Sequence, residues 1–90
     1  MYIIDYTETA KEHIRLLRHN DPSAFKKVTT LLLELSEHPR TGTGHPEQLK
    51  GDKAGLWSRR INKKHRLIYE IHETEVIVLI LTAYGHYEDK

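Results

Sequence analysis

The sequence predicts an α+β domain, a helical hairpin packed on a twisted antiparallel sheet, with its elements in the order β-α-α-β-β-β. Two adjacent segments in the first half repeat their apolar residues at helical spacing. Three β-prone runs separated by short polar turns fill the second half, and runs of strands and helices segregated along a chain give this class. Ninety residues are enough for one domain with a modest core, so residues 1–90 are read as a single unit.

Tyr2-Ile3-Ile4 is short and β-prone, a candidate first strand. Thr7 or Thr9 can cap the helix that follows, and Thr9 with Glu12 has capping-box spacing. Ala10, Ile14 and Leu17 then line one helical face. Asn20-Asp21-Pro22 stops this helix and starts another, because Asp21 is a good N-cap and Pro22 suits the first helical position. Phe25, Val28, Leu32 and Leu35 carry the second apolar stripe until Pro39 ends it. Thr41 to Pro46 reads as a loop by composition, with no Gly-Lys-Ser/Thr to bind phosphates. The strand-like runs are Leu56 to Ile61, His65 to Ile71, and Val76 to about Ala83. Asn62-Lys63-Lys64 and His72-Glu73-Thr74-Glu75 between them are short enough for antiparallel hairpins. The last run is apolar throughout, which predicts a central strand covered on both faces.

Composition removes several classes of function. There is no cysteine, hence no disulfide framework, thiolate metal site or cysteine nucleophile. His13, His19, His38, His45, His65 and His72 form no His-x-His or His-x-x-x-His pattern, so no metal site is expected. No serine sits in a nucleophile elbow, and no nucleotide-binding fingerprint or cofactor motif occurs. The first residues lack the basic and apolar regions of a signal peptide, and the apolar run Val76 to Leu81 is far too short to span a bilayer. A cytoplasmic location without membrane contact is the expectation.

Charge is more informative than its net value of +1. Through Pro39 five basic residues face six acidic ones, whereas Arg40 to Tyr69 holds eight basic residues against Glu47 and Asp52 alone. A block of one sign inside a folded segment suits a polyanionic partner, with a merely solvated basic face as the less favoured alternative on charge alone. Strand alternation sends Leu67, Tyr69 and Ile71 to the core face and Arg66 to the opposite one. Trp57 and Ile61 fit the core side, which places Ser58 and Arg60 beside Arg66 across the hairpin. Arg59 falls on the Trp57 face and is expected to snorkel out near the sheet edge. Two arginines on one exposed face can grip phosphate oxygens, while a single one more often pairs with a carboxylate such as Glu70. Glu47 and Lys50 lie in the approach to that sheet, where a carboxylate can serve as a base. His86 can carry a proton near neutral pH, and Tyr87 offers a ring for stacking on a nucleobase. Glu, Arg and His together make a metal-free set for cleaving RNA at its 2′-hydroxyl, although spacing alone makes that set a weak one.

The segments Gly44-His45-Pro46-Glu47-Gln48-Leu49-Lys50, Gly55-Leu56-Trp57-Ser58-Arg59-Arg60-Ile61, His65-Arg66-Leu67-Ile68-Tyr69 and Gly85-His86-Tyr87 together resemble the YoeB (Txe) toxins of the RelE/ParE superfamily. The likeness is dense from Gly42 to Tyr87, and the first half matches in layout only. It implies a RelE-like fold and the toxin of a type II toxin–antitoxin pair, neutralised by a YefM/Phd-type antitoxin. It further implies a metal-free messenger-RNA endonuclease acting in the ribosomal A site and leaving a 2′,3′-cyclic phosphate; the family also suggests homodimers. Carried over by motif, Glu47 is the general base, Arg66 stabilises the pentavalent phosphate, His86 is the general acid and Tyr87 orients the substrate. Lys50 and Arg60 are the supporting phosphate contacts, with Arg59, Lys63 and Lys64 of the same basic block as further RNA contacts. The chain departs from the family at Gln48, where proline is common, at Tyr84-Gly85, where a basic residue is frequent, and in carrying Glu88-Asp89-Lys90 after His-Tyr. Two other readings remain: a ParE-like protein that poisons DNA gyrase by binding, and an inhibitor that occupies the ribosome with cleavage incidental.

Overall fold

The computed structural model describes residues 1–85. Strand β1 (Ile3–Tyr6) leads into helices α1 (Glu8–Asn20) and α2 (Pro22–Glu37). A two-residue strand β2 (Glu47–Gln48), a 3-10 turn at Gly51–Lys53, and strands β3 (Trp57–Arg60), β4 (Arg66–His72) and β5 (Ile77–Thr82) follow. The strands form one five-stranded sheet in the order β1-β5-β4-β3-β2.

Local chemistry sets the helix ends. Thr7, not Thr9, caps α1: its Oγ1 accepts the Ala10 N–H at 3.0 Å and its hydroxyl donates to the Leu81 carbonyl at 2.9 Å. One side chain thereby starts α1 and pins it to β5. Asp21 closes α1 through its own N–H to the Leu17 carbonyl, and its carboxylate accepts the Ala24 N–H at 3.2 Å to open α2. The two helices are therefore joined by one residue and must fold back as a hairpin. On α2 the buried stripe is Ala24, Val28, Leu31 and Leu35, while Phe25 and Leu32 stand half-buried at its margin. Arg18 of α1 lies over the Phe25 ring, 6.0 Å from its centre. The stripe is turned because α2 must pack on its partner helix as well as on the sheet.

The sheet departs from the expected all-antiparallel arrangement. β1 runs parallel to β5, pairing Ile3 with Ile77 and Tyr6 with Ile80. β5 is flanked on both sides, as expected of the apolar strand, but only one of its faces is covered. Val78 and Ile80 are fully buried under the helices; Ile77, Leu79 and Leu81 are half-exposed. Both helices lie on the same side, and on the other Leu79 stands between Asp5 and Glu70 and Ile77 between Ile3 and His72. Leu17, Val28, Leu31, Leu35, Leu67, Tyr69, Val78 and Ile80 make the core between the layers, each at 0% exposure. Opposite the helices no helix covers the sheet, and the candidate site lies there.

Candidate nucleic-acid interface

β3 and β4 pair antiparallel, with Ser58 opposite Ile68 and Arg60 opposite Arg66. Directly opposed residues share a face, so both arginines rise from the uncovered side of the sheet. Glu47 joins them because the approach to the sheet, just after the loop of residues 41–46, adds an edge strand. Glu47 pairs with Ser58 and Gln48 with Trp57. Arg60 N–H to Gly44 carbonyl (2.7 Å) and Leu49 N–H to Leu56 carbonyl (2.9 Å) lengthen that hairpin at both ends. Glu47 and Arg66 thus lie on one face, one strand apart and two residues offset. Standard sheet spacings put their backbones about 12 Å apart, a gap their side chains can close around a phosphodiester. Glu47 is exposed, with its carboxylate 3.9 Å from His45 Nε2.

Arg66 is held by backbone. Its Nη1 donates to the carbonyls of Asn62 (2.9 Å) and His65 (3.2 Å), and its remaining N–H groups have no partner among the described residues. Asn62 shapes the turn from the other side: its Oδ1 accepts the N–H groups of Lys64 and His65, both at 2.8 Å. Glu70 pairs with His72 at 2.8 Å, so neither arginine is neutralised by the carboxylate closest to it on β4. The Arg60 side chain is exposed and makes no hydrogen bond or ion pair among the described residues. Lys50, Lys63 and Lys64 are exposed around them.

A shallow cleft of about 480 Å³ opens between this hairpin and α2, lined by Lys27, Gly44, His45, Arg60, Ile61, Asn62, Lys63 and Arg66. Five of those eight can carry positive charge and none is acidic, so a polyanion entering it meets no repulsion. Lys27 and His45 were not among the residues the sequence singled out for binding. Helix α2 had been read for its apolar stripe, and only the folded hairpin brings Lys27 to the strands.

Arg59 requires a correction. It does not snorkel to the edge and is no RNA contact; it is fully buried. Nε donates to the Tyr69 hydroxyl (3.1 Å), Nη1 to Glu34 Oε1 (2.9 Å) and the Thr43 carbonyl (3.2 Å), and Nη2 to the carbonyls of His38 (2.6 Å) and Thr41 (2.8 Å). A buried guanidinium persists when every donor is met, and here the chain between α2 and β2 folds over it to supply acceptors. Tyr69 in turn donates to the Pro39 carbonyl at 2.9 Å, and burial raises its hydroxyl pKa above the ordinary value. Glu34 is held below the usual carboxylate range, first by the Thr43 hydroxyl and then by the Thr43 N–H and Arg59, against an opposing effect of burial. The cluster fixes the loop that delivers Glu47.

His86 and Tyr87 lie outside the described residues, but the chain leading to them is firmly attached. The Arg66 N–H donates to the Gly85 carbonyl at 2.9 Å, and the Gly85 N–H donates to His65 Nδ1 at 2.7 Å. The peptide before His86 is therefore bonded to the residue pair His65-Arg66. Among the described residues no three His, Asp or Glu side chains gather to hold a metal ion, and no helix is long and apolar enough to cross a membrane.

A family model described as the YoeB-like toxin of bacterial type II toxin–antitoxin systems matches residues 6–87. Toxin YoeB of Synechocystis sp. is 35% identical over 85 residues, 94% of this chain and 96% of that protein. Toxin YoeB of Escherichia coli K12 is 37% identical over 70 residues, 78% of this chain and 81% of that one. Among solved structures, a YoeB/ParE toxin from Agrobacterium tumefaciens superposes with TM-score 0.88 at 29% identity, covering 94% of this chain and 99% of that one. A YoeB dimer from Staphylococcus aureus gives 0.83 at 32%, covering 96% and 98%. The YoeB–YefM complex from the same organism gives 0.82 at 31%, covering 97% and 99%.

Proposed function

Since the chain belongs to the YoeB-like toxins of bacterial type II toxin–antitoxin systems, we propose that it inhibits translation by cutting messenger RNA in the ribosomal A site. The observation that carries this reading is the sheet face away from the helices, on which Glu47, Arg60 and Arg66 stand together beside a cleft rich in basic residues and without an acidic one in its lining. The Glu47 carboxylate takes the proton of a ribose 2′-hydroxyl, and the freed oxygen attacks the adjacent phosphorus. Arg66, with N–H groups to spare, stabilises the charge that collects on the pentavalent phosphate. The bond from phosphorus to the 5′-oxygen breaks, and His86 gives that oxygen its proton. The products are a 2′,3′-cyclic phosphate and a free 5′-hydroxyl. Tyr87 orients the substrate, while Lys50, Arg60, Lys63 and Lys64 hold neighbouring phosphates.

The neutralising partner is a YefM-type antitoxin, by analogy with the S. aureus complex, and a homodimer is the proposed free form by analogy with the dimer from that organism. Primer extension on messenger RNA in a translating extract tests the reading. Defined cleavage that disappears in Glu47→Ala and in His86→Ala supports it. Intact RNA accompanied by damaged DNA would sink it in favour of gyrase poisoning. Translation arrest by the doubly substituted protein without any cleavage would instead identify an inhibitor that merely occupies the ribosome.

A further inference from the structure

Two histidines outside the proposed catalytic set do the same thing to the end of the described chain. The Ala83 N–H donates to His13 Nδ1 at 3.1 Å, and the Gly85 N–H donates to His65 Nδ1 at 2.7 Å. His13 comes from the middle of α1, and His65 is the residue just before β4. Between the two bonded amides stands Tyr84, whose ring centre is 5.8 Å from that of His13 and 4.5 Å from that of His65. A ring nitrogen that accepts carries no proton, so each imidazole is in the Nε2–H form at the point of contact. His65 is 3% exposed and its backbone is fixed by the Asn62 turn. The Gly85 carbonyl completes the attachment on the Arg66 N–H, with Gly85 at φ +75°.

We propose that His13 and His65 are positioning residues that clamp the Ala83–Gly85 segment, and so set where the chain delivers His86 relative to Arg66. The inference rests on the proposed role of His86 as the proton donor. β5 ends at Thr82, and past it the bond from the Arg66 N–H to the Gly85 carbonyl still ties the backbone to the first residue of β4. Along this stretch the two imidazoles serve as acceptors for the alternate N–H groups of Ala83 and Gly85. A proton donor must sit within hydrogen-bond reach of its acceptor, and a displacement of about 1 Å can cost on the order of 100-fold in rate.

Asparagine tests the clamp, because its Oδ1 is the same number of bonds from Cα as histidine Nδ1 and also accepts. In cleavage of messenger RNA on programmed ribosomes, His13→Leu and His65→Leu are expected to lower the maximal rate about 10- to 100-fold. The half-saturating ribosome concentration should stay unchanged, and His13→Asn and His65→Asn should recover most of the rate. Hydrogen exchange at the Ala83 and Gly85 amides reads the clamp without any cleavage: protection is lost in the leucine variants and kept in the asparagine ones. Should His65→Leu fail to fold, His13, which is only half-buried, carries the test alone. Unchanged amide protection in a folded leucine variant would overturn the proposal. So would loss of protection with an unaltered rate, or an asparagine variant no better than leucine. If His86→Ala cleaves like the parent protein, the acid assignment fails, while the exchange data still report on the clamp.

Discussion

Arg59 spends all five of its guanidinium N–H groups inside the protein, on one phenol, one carboxylate and three carbonyls. Removing one partner of such a buried pair costs about 3–5 kcal/mol, so Arg59→Ala should lower stability by that order in urea titration. Arg59→Lys should recover little, because an ammonium has three donors and cannot span acceptors spread over residues 34 to 69. The same cluster sets an acid limit. Glu34 has a carboxyl pKa lowered from the ordinary value of 4.5, so the unfolded chain binds its proton first as pH falls. The contribution is complete above 4.5 and is lost as pH drops through the folded value. Thermal midpoints measured from pH 6 downward should therefore fall more steeply in the parent than in Glu34→Gln. His13 acts in the same direction at higher pH: burial lowers its pKa from 6.5, outweighing Glu12, so stability declines as pH falls below that value. Alternation alone placed Arg59 on the core face, and that much was legible in the sequence. Its acceptors were not, since they come from α2 and a loop whose path only the folded chain defines.

At the scale of elements, the periodic segments were readable and the short ones were not. Helices α1 and α2 and strands β3 to β5 carry their own patterns of apolar residues, with caps at Asp21 and Pro22 that chemistry alone suggests. β2 has no such signal. Glu47 and Gln48 are poor strand formers that pair only because β3 offers a free edge and Gly44 lets the chain approach it. Gly44 sits at φ +87°, and a Cβ there would lie 2.9 Å from the Arg60 carbonyl. Gly44→Ala should cost about 1–3 kcal/mol and detach Glu47 from its register. Cleavage should fall further than stability does, measured as rate against thermal midpoint in one preparation. The parallel pairing of β1 with β5 was equally hidden, because the partners lie more than seventy residues apart and either direction satisfies the same apolar pattern.

Across the whole molecule, charge is partitioned by the sheet and the hairpin. The cationic cleft gathers Lys27 from α2 with His45, Arg60, Lys63 and Arg66, whereas Lys11 on α1 is paired with Glu8 at 3.3 Å. If RNA runs through the cleft, each lost phosphate contact lowers the slope of log affinity against log salt by about 0.7 for a single strand. Lys27→Gln and Arg60→Gln should each do so in oligonucleotide titrations at several salt concentrations, and Lys11→Gln should not. The sequence showed that positive charge was concentrated after Arg40; it did not show that an α2 lysine joins it, because the two meet only in space.

The place of β5 in the sheet has one more consequence. The first strand made and the last strand made lie side by side, and β4 meets β1 only through β5. While the chain is being synthesised, α1 and α2 can form their hairpin early, but part of their apolar cover is missing until Val78 and Ile80 arrive. The Leu81 carbonyl that receives the Thr7 hydroxyl, and the Ala83 amide that reaches His13, arrive later still. A nascent chain cut short before Ile77 therefore lacks the strand that joins β1 to β4, and the helical hairpin gains its full apolar cover only once β5 has been made.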